Sequence, residues 1–156
     1  MTGRAEIASQ KKRLDATFDR ARKTGPADAE LSSDLARYLC VLVAGFLEQA
    51  MIEVALEHVR THSQISIQRH VDSRLRRFTS ANTNKIIELL GSFDADWRLD
   101  LERYIVDEYK DAVDSVVGLR HTIAHGRYVG VTMVGVRDYY DRVKNVVDHV
   151  ADLCIP

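Results

Sequence analysis

The fold of this chain depends on the stretch Leu119-Arg120-His121-Thr122-Ile123-Ala124-His125-Gly126, which lies at the end of an apolar helical pattern. At about 100° per residue, the apolar residues of that helix share one arc: Tyr109, Ala112, Val113, Val117 and Ile123. Arg120 falls in the middle of the arc, where a leucine would be expected. A charge on a core-facing seam is destabilising unless it is paired, so Arg120 requires an electrostatic partner.

The end of the same stretch places a histidine beside a backbone break. His125 would point nearly opposite to Arg120 on a continued helix, but Gly126 offers the left-handed backbone that ends helices, so the last turn can re-aim it. An arginine with a re-aimed histidine suits a site that handles phosphate. The alternative is a buried structural arginine and a C-terminal histidine that faces the helix dipole.

A partner for Arg120 is suggested by the longest apolar helix, which Asp28 or Ser32 can cap and which runs to about Arg60. This helix is apolar on two faces, which is typical of the central helix of a bundle. Glu48 lies within one apolar stripe, so burial of its charge would be destabilising without a partner, as for Arg120. We therefore hypothesise that Glu48 and Arg120 lie close together. The alternative is that Glu48 reaches solvent through its flexible stem.

The composition favours helices throughout, since the 156 residues include only two prolines and eight glycines. We predict an all-α fold, a compact helical bundle with a core of four to five helices. We expect one domain over residues 1–156, with the core at about 28–153. Residues 1–25 form a charged N-terminal helix that ends at Gly25-Pro26 and packs loosely or reaches a partner. No apolar run of membrane-spanning length is expected.

Further along the chain, Asn82 or Thr83 can cap a short helix that ends at Gly91. The apolar spacing then predicts that a continuous apolar face leads from Leu101 toward Arg120. Thr132 can cap the last helix.

The charge distribution limits where an anionic partner can bind. The net charge is −1, which argues against a general nucleic-acid coat. From Arg60 to Arg77 there are five arginines against one acidic residue, so this region is the best candidate for a phosphate-backbone contact. The arginines proposed for that contact are Arg74, Arg76 and Arg77. A solvated helix face that pairs with acidic residues elsewhere is at least as reasonable.

Metal and cofactor sites are not expected. His58 and His62 share a helix face, but no third ligand is apparent. The chain also lacks a glycine-rich loop that could cradle phosphates. Cys40 and Cys154 lie far apart and read as free thiols, which fits a reducing cytoplasm. The polar N-terminus lacks the features of a secretory signal, so we expect a cytoplasmic protein with no membrane partner.

An arginine and a histidine together can cleave RNA without a metal. RNA supplies its own nucleophile, the 2′-hydroxyl. His125 would activate that hydroxyl or protonate the leaving oxygen, and Arg120 would stabilise the charge on the phosphate. One histidine performs only one of these proton transfers well at a time. A symmetric dimer that sets two such motifs face to face would provide both.

Three motifs together resemble one protein family. They are Gly45-Phe46-Leu47-Glu48-Gln49, Phe93-Asp94-Ala95-Asp96-Trp97 and Leu119-Arg120-His121-Thr122-Ile123-Ala124-His125-Gly126. The last is similar to the Arg-x4-His signature of the HEPN superfamily (higher eukaryotes and prokaryotes nucleotide-binding), and the three together resemble a prokaryotic branch of it. The resemblance covers most of residues 30–153.

The resemblance implies a helical bundle that dimerises through the motif. It implies a metal-independent endoribonuclease of a toxin–antitoxin or other defence system, with Arg120 and His125 as the catalytic pair. His121 stands where the family commonly has asparagine, and it could hydrogen-bond phosphate in its place. We expect His121 and Glu48 to support the pair. A cognate antitoxin protein is a possible partner. The alternative is a non-catalytic helical module that binds a partner protein or a nucleotide, since some members lack nuclease activity.

Overall fold

The computed structural model describes residues 2–24 and 28–156, and within these ranges the chain forms seven α-helices and no strand. The all-α prediction is therefore confirmed. The helices are α1 Gly3–Thr24, α2 Ala29–His62, α3 Ile65–Leu75, α4 Thr83–Gly91, α5 Ala95–Tyr104, α6 Asp107–Ala124 and α7 Met133–Cys154. The break predicted at Gly25-Pro26 lies outside the described residues.

Helix α2 is the central element, as its two apolar faces predict. It packs against α1 on one side and against α6 and α7 on the others, and α3 also contacts it. The Asp28 side chain accepts a hydrogen bond from the Glu30 amide and caps the helix, as one of the two predicted caps. Residues from both predicted stripes are buried, among them Leu39, Ala50, Met51 and Ala55.

The apolar character of α2 corrects one expectation. No apolar run of membrane-spanning length was expected, yet α2 is long and apolar enough to cross a membrane by length and composition. More than half of that apolar window is buried inside the bundle. Packing on several sides therefore accounts for the composition of the helix without a bilayer.

Helix α1 is part of the core, so the expectation that it packs loosely is wrong. Its three large apolar residues, Ile7, Leu14 and Phe18, are all nearly inaccessible to solvent. The Phe18 ring stacks on Tyr140 of α7, with ring centroids 4.7 Å apart. The Tyr140 hydroxyl in turn donates a hydrogen bond of 2.6 Å to the Asp15 carboxylate. A narrow apolar stripe is sufficient because α1 fills the groove between α2 and α7.

The helical conformation is interrupted between α5 and α6, within the stretch whose apolar face was predicted to run continuously toward Arg120. Helix α5 ends at Tyr104, and Asp107 adopts a φ of 52°, in the left-handed region. Neither glycine nor proline marks this break, although Ile105 remains buried and keeps the apolar spacing intact. The predicted caps elsewhere are observed, with Asn82 accepting from the Lys85 amide and Thr132 from the Gly135 amide.

We predict that Phe18→Ala lowers the free energy of unfolding by about 3–5 kcal/mol, because it empties a stacked core position. Leu31→Ala is the matched control, because Leu31 is 52% exposed, and should cost less than about 1 kcal/mol. Urea denaturation measures both. Equal stabilities for the two variants would show that α1 does not belong to the core.

Candidate functional site

The centre of the site is an ion pair between Glu48 of α2 and Arg120 of α6. The Arg120 Nη1 atom donates to Glu48 Oε2 at 3.0 Å. The Glu48 side chain is 12% exposed and the Arg120 side chain is 36% exposed. The hypothesis that the two charges lie together is therefore confirmed, and each offsets part of the desolvation cost of the other.

The Glu48 carboxylate holds a third segment as well. Its Oε2 atom accepts a hydrogen bond of 3.0 Å from the backbone N–H of Ser80, in the connection between α3 and α4. Ser80 has a φ of 56°, a left-handed conformation that residues other than glycine adopt uncommonly. The hydrogen bond to Glu48 helps to hold the turn in that conformation. One buried carboxylate thus ties α2, the end of α6 and the α3–α4 turn together.

Arg120 borders an open cleft of about 640 Å³, which we call the α1–α2 cleft. Helix α1 forms one wall and α2 forms the floor. The lining residues are Gln10, Arg13, Leu14, Thr17, Tyr38, Val41, Leu42, Gly45, Phe46, Glu48, Gln49 and Arg120. The cleft therefore combines an apolar floor with a rim of amides, hydroxyls and arginines.

His125 lies at the C-terminal end of α6, outside this cleft. Gly126 has a φ of 71° and ends the helix, as predicted. The His125 N–H still donates to the His121 carbonyl oxygen at 3.1 Å, and the two rings meet edge-on with centroids 4.3 Å apart. This is the contact expected between residues four apart on a regular helix. The glycine therefore stops the helix without re-aiming His125.

Arg120 and His125 do not contact each other within one copy of the chain. Across the described ranges, no hydrogen bond, ion pair or ring contact joins the two residues, and the described partner of the Arg120 guanidinium is Glu48. His125 and His121 are both exposed. The structure thus brings together Glu48 with Arg120 and His121 with His125, as two pairs on different sides of α6.

The predicted RNA-binding arginines form a separate surface. Arg74, Arg76 and Arg77 are exposed at and just beyond the end of α3, and none of them lines the α1–α2 cleft. Arg76 forms a surface ion pair of 3.4 Å with Asp72. Asp72 is a local partner four residues away, whereas the alternative expected acidic partners elsewhere in the chain. RNA binding by these arginines therefore stays a prediction.

Four polar or aromatic residues of the cleft were missed by sequence reasoning. Gln10, Arg13 and Thr17 come from α1, and Tyr38, which is 55% exposed, comes from α2. Gln10 and Arg13 are three positions apart and share a helix face, but such a polar face is also what solvent exposure produces. Tyr38 was the one sequence signal that could have pointed to this surface, because tyrosine is enriched at binding surfaces.

Within residues 2–24 and 28–156, no group of three or more histidine, cysteine, aspartate or glutamate side chains is placed to hold a metal ion. The rings of His58 and His62 stack on each other with centroids 4.4 Å apart, and His58 also packs edge-on against Trp97. Burial, and then the neighbouring His62, lower the pKa of His58. Its contacts therefore favour the neutral ring.

Comparison with known proteins gives one match. The family model described as RiboL-PSP-HEPN matches residues 5–155. No curated protein and no solved structure matches the chain. The family match therefore covers α1 and the cleft as well as the Arg120–His125 stretch.

We predict that Glu48 and Arg120 are energetically coupled, which a double-mutant cycle of Glu48→Ala and Arg120→Ala measures by urea unfolding. The coupling energy should be about 1–3 kcal/mol, because the carboxylate is buried. The pair of Asp72 and Arg76 is the control, since its side chains are 45% and 78% exposed, and should give about 0.3–0.5 kcal/mol. Equal coupling in the two cycles would contradict a special role for the buried pair.

Proposed function

Because the chain belongs to the HEPN family described as RiboL-PSP-HEPN, we propose that it is a metal-independent endoribonuclease of a toxin–antitoxin or other defence system. Arg120 and His125 are the proposed catalytic residues, and His121 and Glu48 support them. RNA is the proposed substrate, and a cognate antitoxin protein is a proposed partner. A cytoplasmic location is also proposed, and the free thiols of Cys40 and Cys154 support it.

The observation that carries this proposal is the half-exposed state of Arg120. Glu48 accepts one hydrogen bond from its guanidinium, and 36% of the arginine side chain stays exposed beside the cleft. A guanidinium has five N–H donors, so the ion pair orients the group and leaves donors for a phosphate. An arginine that served only as internal scaffold would be buried with its donors satisfied.

The proposed reaction uses the 2′-hydroxyl of RNA as the nucleophile. The 2′-oxygen forms a bond to the adjacent phosphorus while the bond from phosphorus to the 5′-oxygen breaks. The products are a 2′,3′-cyclic phosphate, which hydrolysis can open to a 3′-phosphate, and a 5′-hydroxyl. His125 takes the proton from the 2′-hydroxyl or gives one to the leaving oxygen, and Arg120 stabilises the phosphate charge.

A second copy of the chain completes the site in this proposal. Within one copy Arg120 and His125 face different sides of α6, and a single imidazole performs one proton transfer at a time. Gly118, His121 and His125 share the exposed face of α6, and a Cβ atom built on Gly118 meets nothing within 4 Å. This face leaves room for the equivalent helix of a partner copy, which supports a homodimer in which the motifs face each other.

One observation favours the alternative function, a non-catalytic module that binds a partner protein or a nucleotide. His125 does not line the cleft that Arg120 borders. A binding module would use the cleft alone and would tolerate the loss of His125. The two functions therefore differ in how they respond to the same substitution.

We predict that the purified protein cleaves RNA with EDTA present and that His125→Ala reduces the cleavage rate by at least about 100-fold, because general acid–base catalysis is lost. His70→Ala is the matched control, since His70 is an exposed histidine on α3, and it should cleave normally. Gel analysis of labelled RNA gives the rate and the end chemistry, and circular dichroism checks folding. Undiminished cleavage by His125→Ala would overturn the assignment.

We also predict that toxicity follows the same pattern in cells. Expression of the wild-type protein should slow growth, whereas the His125→Ala protein should not.

Mixed dimers test whether the site needs both histidines. A dimer of one wild-type and one His125→Ala subunit keeps a single His125, so it should cleave well below half the wild-type rate. Half the wild-type rate or more, in dimers shown to exchange subunits, would contradict a site built across the two copies.

A further inference from the structure

The α1–α2 cleft has an apolar floor that no part of the described chain covers. A single face of α2 supplies most of it, because residues 38, 41, 42, 45 and 49 follow helical spacing. Val41 and Leu42 are half-buried, and Tyr38 presents an aromatic ring that is 55% exposed. The cleft volume of about 640 Å³ lies in the range of small-molecule sites.

The rim of the cleft favours an anionic occupant with hydrogen-bonding groups. Its charged residues are Arg13, Arg120 and Glu48, which sum to +1 in a chain whose net charge is −1. Arg13 is largely exposed, and its ion-pair partner Glu6 is distant, at 3.8 Å. Amide groups come from Gln10 of α1 and from Gln49 of α2. The rim can therefore contact phosphate and the edge of a base.

Gly45 keeps the cleft open. A Cβ atom built on Gly45 meets nothing within 4 Å, and its backbone is ordinary helix without a positive φ. Neither packing nor conformation therefore requires glycine, although glycine inside a helix costs about 0.5–1 kcal/mol relative to alanine. The missing side chain leaves space in the cleft, because a Cβ atom at this position points into open space.

We propose that the α1–α2 cleft binds one nucleotide of a single RNA strand. The base packs on the apolar floor against Tyr38, and a phosphate contacts Arg13 and Arg120. Stacking of a base on an aromatic ring suits single-stranded RNA, whose bases are free to leave the helix. The placement of this nucleotide beside the scissile phosphate rests on the proposed function, but its binding does not.

The test uses the full chain and a short fluorescein-labelled single-stranded RNA with 2′-O-methyl riboses, which cannot be cleaved by 2′-hydroxyl attack. Fluorescence anisotropy should show Gly45→Leu binding at least about tenfold more weakly than wild type. Ala16→Leu is the matched control, since it enlarges an exposed alanine of α1 that does not line the cleft, and should bind normally. Arg13→Gln should bind more weakly, and the slope of the logarithm of its affinity against the logarithm of salt concentration should fall by about one.

Folding and assembly are checked on the same samples. Gly45→Leu should melt at or above the wild-type temperature, because leucine favours helix, and Tyr38→Ala tests the same surface by removing a half-exposed ring. Wild-type affinity in both Gly45→Leu and Tyr38→Ala would overturn the proposal, and so would the absence of RNA binding by the wild-type protein. Loss of self-association by Gly45→Leu in sedimentation would also overturn it, because the cleft would then be a protein interface.

Binding and cleavage fail separately in this design. If the protein cleaves RNA and Gly45→Leu binds and cleaves as wild type does, the nucleotide subsite is wrong and the nuclease stands. If the protein cleaves nothing and Gly45→Leu still loses RNA binding, the subsite stands and the nuclease is wrong.

Discussion

The burial of the Glu48 carboxylate is the constraint on which the rest of the structure depends. A central helix packed on several sides leaves little room for a charge, and an unpaired buried carboxylate is strongly destabilising. Glu48 therefore has to be met by donors from elsewhere in the chain, and these are the Arg120 guanidinium and the Ser80 N–H. Replacing a buried ion pair by apolar residues often costs no stability, so stability alone does not explain Glu48. We attribute to Glu48 the positioning of α6 and of the α3–α4 turn, because its carboxylate contacts both.

The unequal solvent exposure of Glu48 and Arg120 indicates that the two residues have different roles, one structural and one in the site. Glu48 accepts both of its described hydrogen bonds inside the protein, and its side chain is only 12% exposed. Arg120 is three times as exposed, at 36%, and gives one hydrogen bond to the pair. The carboxylate is thus committed to the fold, whereas the arginine is held in one orientation at the edge of an open cleft. Such pre-organisation is what an electrostatic site for phosphate requires.

Sequence reasoning predicted the parts of this arrangement that follow from local rules. A charge within an apolar arc needs a partner, which was sufficient to pair Glu48 with Arg120, and short polar side chains at helix starts gave the caps. The break before Asp107 was missed because no glycine or proline signals it and the apolar spacing continues through it. The α1–α2 cleft was missed because three helices build it, and no one of them carries its pattern. The orientation of the His125 side chain was predicted wrongly. It depends on a single helical turn, and His125 keeps its helical contact with His121 although Gly126 ends the helix at the next residue.

The geometry of α6 separates the two halves of the proposed chemistry. Arg120 faces α2 and the cleft, whereas His125 lies with His121 on another, exposed face of the helix. Within one copy no described contact joins the two side chains. In the proposed enzyme a second copy therefore supplies the second histidine of a shared site. In the alternative function the cleft works alone, and the exposed histidines have no chemical task. The two functions thus differ in whether the exposed histidines and a second copy are required.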